Sequence, residues 1–312
     1  MAGVAAATSV LLLTGCGGSS IDKAGDGELT TIKIATQPIV DSAPLYLGKE
    51  KGFFAAEGID LKIDSAVGGA AVVPGVVSGN LHFGRGNLLS TMVANDKGLD
   101  LQCVTNANSA TGDPDFGAVV VPKDSPIKTI ADLPGHKVSV NTFNNIGDTT
   151  IRSVVEEADG DPKGVQFVEI PFSDAPAALE KGQVDAAWIL EPFLTEAKDH
   201  GARVLSYNFT EFHPELDISC VFTTRQMIER EPDLVKRFQA AMNKSLEYSQ
   251  QHEDEVRKIV GTYTNIEPAV LERIVLPKFR VDFNREAAAK LGQLGHKYGT
   301  LSKEPDLDKL LP

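Results

Sequence analysis

From residue 31 onward, short runs rich in Val, Ile and Thr alternate with stretches whose apolar residues recur at helical spacing. TIKIAT (31–36) precedes a helical stretch to residue 54, and IDLKIDSA (59–66) precedes a small-residue helix to residue 77. LHFG (81–84) leads into a helix over 88–95, and DLQCVTNA (100–107) closes the series. Parallel strands need long crossovers, normally helices, so this alternation predicts a mostly parallel sheet with both faces covered.

A second series follows GAVVVP (117–122): HKVSVNT (136–142), a helix over 148–158, VQFVEI (165–170), a helix over 175–181, VDAAWI (184–189), a short helix and RVLSYN (203–208). ISCVFTT (218–224) again reads as strand. From Pro232 the pattern turns helical, with Leu234, Phe238, Met242 and Leu246 four residues apart on one face and Asn284 placed to cap a last helix running to Tyr298. The strand at 117–122 leaves the first α/β unit and the strand at 218–224 returns to it. The expected body is therefore two-lobed and parallel-rich, with residues 30–117 plus 219–312 in lobe 1, residues 118–218 in lobe 2, and a helical C-terminal segment.

Hydrophobic residues make up 42% of the 312 residues and charged residues 23%, at a net charge of −13. Such acidity argues against nucleic acid and against a polybasic membrane patch, both of which need clustered Lys and Arg. Residues 1–15 are uncharged, and residues 4–13 form an apolar or small run too short to span a bilayer. Leu13-Thr14-Gly15-Cys16 then resembles the bacterial lipobox. The resemblance implies a lipoprotein signal over 1–16, diacylation at Cys16, and attachment to the outer face of the cytoplasmic membrane through that lipid alone. Residues 17–29, rich in Gly, Ser and charge, read as a flexible tether. Cys103 and Cys220 remain: export permits a disulfide, whereas their strand positions slightly favour two buried thiols.

Ligands of open α/β sheets sit beyond the carboxyl ends of the strands, beside helix N-termini. The loops there offer Gln37, Asp41 and Ser42 after the first strand, Gly69 after the second, Arg85 and Asn87 after the third, and Asn108 after the fourth. The second unit contributes Asn144, Asn145, Phe172 and Glu191. Amides, hydroxyls and aromatic faces converging on a cleft suit a small polar ligand. Each residue has a plainer reading as well: Asn as a helix cap, Arg85 paired with an acidic neighbour, Trp188 as core. We find no P-loop, no GxSxG elbow, no HxxxH and no paired Cys–His motif, so no catalytic residue, metal site or cofactor is expected.

Four segments carry a family resemblance: APLYLGKEKGFFAAEG (43–58), GVVSGNLHFG (75–84), IADLPGHKV (130–138) and AALEKGQVDAAWILEPF (177–193). They resemble solute-binding proteins of ABC importers for taurine, aliphatic sulfonates and nitrate, related to receptors for thiamine-pyrimidine precursors. Asn80 to His82 depart from the family's acidic pattern, and the match spans roughly residues 31–250. The resemblance implies a type II periplasmic-binding fold with two parallel-rich sheets joined by a two-strand hinge. It also implies a ligand gripped by lobe closure, and delivery to an ABC permease with its ATPase. Anions would sit at helix starts such as 144–145 with help from Arg85, whereas a charged Glu191 in the cleft would favour an N–H-bearing ligand. Two rivals remain: an enzyme of the same fold that forms the pyrimidine precursor, and a sensor that reports to a membrane kinase.

Overall fold

The computed structural model describes residues 29–312. The Cys16 lipobox, the signal over 1–16 and residues 17–28 of the tether lie outside the described residues. Eleven strands are described: β1 (Thr30–Thr36), β2 (Ile59–Ser65), β3 (Phe83–Asn87), β4 (Leu101–Ser109), β5 (Gly117–Pro122), β6 (Lys137–Val140), β7 (Gln166–Glu169), β8 (Ala186–Leu190), β9 (Ala202–Ser206), β10 (Asp217–Thr224) and β11 (Lys278–Phe279).

The strands form two sheets, ordered β11-β4-β10-β3-β1-β2 and β7-β6-β8-β5-β9. Leaving aside the two-residue β11, each sheet has one plan. Its second strand lies at the edge, the first beside it, then the third, then a reversed strand, then the fourth. In both sheets the reversed strand, β10 or β5, pairs antiparallel with both neighbours, while β1–β2, β1–β3, β6–β7 and β6–β8 are parallel. The reversed strand is the one that has just arrived from the other sheet. This is a two-lobed α/β fold, and the alternation that suggested it reflects strands whose two faces both need cover.

The chain crosses between sheets through residues 110–116 and 207–216. Ala110 N donates to Leu216 O at 2.9 Å. Asp115 joins the two crossings through its side chain, accepting from Thr210 Oγ1 at 2.6 Å and from Phe116 N at 2.8 Å. Gly117 already pairs with Leu190 in the second sheet, and Asp217 with Ser109 in the first.

Each lobe has an apolar centre. Ile32, Ile34, Phe83 and Phe222 fill the first, where Phe83 stacks on Phe238 at 3.9 Å between ring centres. Val119, Val138, Val140 and Ile189 fill the second. In the helix Pro232–Gln251 the four-residue spacing does what amphipathicity requires: Leu234, Phe238, Met242 and Leu246 are all buried. Truncating a ring placed like Phe238 costs about 3–5 kcal/mol. Asn284 caps the helix Arg285–Lys297, its side chain accepting from Ala287 N at 3.2 Å. That helix also reaches the second lobe, with Lys290 Nζ donating to Phe212 O at 2.6 Å and Lys297 pairing with Glu156 at 2.6 Å.

Two expectations change. The single helix running to residue 54 is two, Ala43–Glu50 and Phe53–Ala56, because Gly52 takes φ +74°, a left-handed turn that glycine enters freely. Cys103 and Cys220 are joined in a disulfide between β4 and β10, with Cα atoms 5.9 Å apart. Inward-facing positions on adjacent antiparallel strands bring the two sulfurs together, which overturns the preference for free thiols.

Candidate functional site

The carboxyl ends of both parallel sets face one another, and between them lies a cavity of about 20 Å³. The first lobe lines it with Gln37, Ile39, Asp41, Arg85, Asn87, Ile218 and Ser219. The second lobe supplies Asn141, Ile146, Phe172, Trp188, Leu190 and Phe209. Such a volume holds about one water, so the lobes are drawn together. Two larger grooves, of about 660 Å³ beside Asp96 and Arg225 and about 670 Å³ beside Arg257 and Leu271, draw their walls from the first lobe and its C-terminal helices alone. Of these three, the small cavity is the one on which both lobes converge.

Its polar side is built around Arg85 on β3. The guanidinium is 2% exposed, and its Nη2 donates to Asp41 Oδ2 at 2.8 Å, to Ser219 Oγ at 2.8 Å and to Asn108 Oδ1 at 3.3 Å. Asn108 Nδ2 also donates to Asp41 Oδ2 at 3.1 Å. Ser42 Oγ donates to Gln37 O at 2.5 Å, which leaves the Thr36 hydroxyl as donor in the 2.6 Å contact between Thr36 and Ser42. Arg85, Asp41, Ser42 and Asn108 thus form one buried network. A charge so deeply buried needs a partner, and Asp41 is that partner.

The opposite side is aromatic. Phe172 meets Trp188 edge-on at 5.2 Å, and Trp188 meets Phe209 edge-on at 5.5 Å. Trp188 is core, as its strand position suggested, but it also walls the cavity. Gly147, in the helix Ile146–Glu157, leaves room for the indole: a Cβ there would stand 2.5 Å from the ring.

Asn87 and Asn145 cap helices at the rim. Asn87 Oδ1 accepts from Ser90 N at 2.8 Å, and Asn145 Oδ1 accepts from Ile146 N at 2.8 Å. Asn145 Nδ2 then donates across the cleft to Ser90 Oγ at 3.0 Å. Val40 N and Glu191 O make a second bridge between the lobes, at 3.1 Å. Gln37 Nε2 donates to Val67 O at 2.8 Å.

Six of the residues read from the sequence do not line the cavity: Ser42 and Asn145, whose bonds are given above, and Glu191, Asn144, Gly69 and Asn108. The Glu191 carboxylate is fully buried against its own helix start, accepting from Thr195 N at 2.9 Å, Thr195 Oγ1 at 2.7 Å and Val275 N at 3.3 Å. Burial raises its pKa against those hydrogen bonds, and the group caps the helix Phe193–Asp199 instead of charging the cleft. Asn144 is exposed at φ +50°, with its backbone N–H on Asp148. Gly69 packs on Gly86, where a Cβ would stand 2.7 Å from the facing Cα, so its missing side chain serves helix–strand contact. Asn108 lies behind Arg85 and supports it. Conversely, Ser219 and Phe209 line the cavity with no expectation behind them, and Trp188, expected as core, lines it together with Asn141. Asn141 opens a post-strand loop and was legible there, whereas nothing near Ser219 in the sequence signals a partner 134 residues away.

Two matched lobes around a cleft at the strand ends define a periplasmic-binding-protein fold. The model of the family described as "NMT1/THI5 like" matches residues 39–256. The chain belongs to that family. It is 25% identical over 272 residues to a putative aliphatic sulfonates-binding protein of Bacillus subtilis, covering 85% of this chain and 79% of that one. Among solved structures it resembles the alkanesulfonate-binding protein SsuA of Xanthomonas axonopodis bound to MOPS (TM-score 0.78, 18% identity, 92% of this chain and 99% of that chain). It also resembles the nitrate-binding protein NrtA of Synechocystis (TM-score 0.77, 15% identity, 91% and 86%).

Proposed function

We propose that the protein is an extracytoplasmic receptor that captures a small oxoacid, sulfonate-like or nitrate-like, between its lobes and delivers it to an ABC permease and its ATPase. One observation carries the reading: a cavity at the carboxyl ends of both parallel sets takes its walls from both lobes. Closure then depends on a ligand touching both sides, since a ligand shifts a conformational equilibrium only by its differential contacts with the two states. The names of the relatives point to the same class of solute. Lipid attachment at Cys16 belongs to this proposal, and radiolabelled palmitate should be incorporated by the full chain and lost in Cys16→Ala.

Trp188 is the chain's single tryptophan and lines the cavity, so its fluorescence reports on the site directly. Titration with sulfonates, nitrate, bicarbonate and pyrimidines should change that emission and raise the melting temperature for at least one compound. Silence from every compound in both measurements would reject solute capture. Turnover of a bound compound by the purified chain would favour the enzyme reading. The permease step is tested by ATPase stimulation in vesicles carrying the transporter, and its absence would favour a sensor role.

A further inference from the structure

Among the described residues, three that line the cavity each carry a buried polar atom without a hydrogen-bond partner: Asp41 at Oδ1, Arg85 at Nε and Trp188 at Nε1. Buried donors and acceptors are almost always paired, so three unpaired ones around one cavity require an explanation. They differ in kind. Asp41 offers an acceptor, whereas Arg85 and Trp188 offer donors, and Trp188 stands on the lobe opposite the other two.

The charge around the cavity is already balanced. Arg85 is neutralised by Asp41 at 2.8 Å. The helix starts at Leu88 and Ile146 are capped by Asn87 and by the Asn145–Asp148 box. Glu191 is occupied by Thr195 and Val275. A bare anion entering here would gain two donors but would face the open carboxylate oxygen of Asp41 at short range, in surroundings that screen poorly.

Resting on the reading of this cleft as an oxoacid site, the geometry points to a narrower class: a small oxoacid that itself carries an O–H or N–H, given to Asp41 Oδ1, while its oxygens accept from Arg85 Nε and Trp188 Nε1. Asp41 is then the specificity-determining residue. Trp188 is the contact through which the second lobe senses occupancy, and with a solute in place the lobes stand further apart than in the arrangement described.

Matched pairs test this, each pair equal in charge and close in shape but differing in one donor: 2-hydroxyethanesulfonate against propanesulfonate, and bicarbonate against nitrate. Calorimetric titration of the full chain should show the donor-bearing member of at least one pair binding about tenfold tighter, the worth of one hydrogen bond. Asp41→Asn should shrink that preference below about threefold. Trp188→Phe keeps an aromatic ring but removes the N–H, and should weaken the preferred compound about tenfold. Equal or tighter binding of the donor-free member in both pairs overturns the donor requirement and leaves solute capture standing. Failure of all four compounds to bind overturns the oxoacid reading itself. Should Asp41→Asn not fold, Trp188→Phe still decides: unchanged affinity there defeats the three-point contact.

Discussion

The side-chain amide of Asn145 donates to the Ser90 hydroxyl at 3.0 Å, joining the first turns of two helices that belong to different sheets. Neither side chain is free to serve the solute alone, because Asn145 also caps its own helix and Ser90 also lies 3.1 Å from Asn87 Oδ1. The contact exists only while the lobes are together. Because a solute parts the lobes beyond this arrangement, Ser90→Ala removes a bond that competes with the solute and should tighten binding by about two- to tenfold, mainly through a faster on-rate, the worth of one neutral hydrogen bond. Stopped-flow titration separates the two rates, and an unchanged on-rate would show that this contact does not hold the lobes together.

Arg85 and Asp41 make the most deeply buried ion pair described. Arg85→Met leaves a carboxylate stranded and should destabilise the chain by about 3–5 kcal/mol in chemical denaturation. Adding Asp41→Leu should recover part of that loss, because replacing both charges removes the uncompensated one. A double variant as unstable as the sum of the singles would show that the two residues do not act as a pair.

The Cys103–Cys220 disulfide closes a sequence separation of 117 residues. Reduction, or the double Cys→Ala substitution, should cost about 2–5 kcal/mol, seen as a lower melting temperature under dithiothreitol. An identical melt with and without reductant would show that the sulfurs are not bonded in solution.

Two carboxyls at the crossings give stability a pH signature. Burial pushes Asp115 and Asp217 from the ordinary 3.8 up to about 6, against the hydrogen bonds each accepts. Between those values the folded chain holds protons that the unfolded chain has released. Their contribution to stability therefore falls as pH rises through that window and is flat above it. Exposed carboxylates held low by lysine or arginine, such as Glu156 and Asp199, pull the other way. The check is consequently a difference: the melting temperature at pH 5 minus that at pH 7.5 should be smaller in Asp115→Asn than in the parent chain.

What was legible in the sequence was what depends on neighbours along the chain. The strands β1, β5, β8 and β10 and the helix Pro232–Gln251 announce themselves through local runs and spacing, and Asn145 and Asn284 through their places before helices. The two residues of β11 are too few to make a pattern. Glu191 was recognised as sitting at a strand end, but which way its carboxylate turns is decided by the helix that follows. Ser219 and Cys220 meet Arg85 and Cys103 only because β10 threads between β3 and β4, a contact no local pattern contains. Arg85 could be read as ion-paired or ligand-facing. The structure supplies the pairing with Asp41 and leaves Nε over.

The reversed strands carry a consequence for the order of assembly. Lobe 2 is one continuous stretch, and all five of its strands are available once Ser206 has been made. In lobe 1, β3 and β4 have no direct contact in the sheet; each waits for β10, which arrives more than a hundred residues later. A nascent or translocating chain thus holds all the strands of the second sheet beside a first sheet split down its middle. Ser219, delivered by that same late strand, makes the Arg85 cluster among the last parts of the molecule to come together.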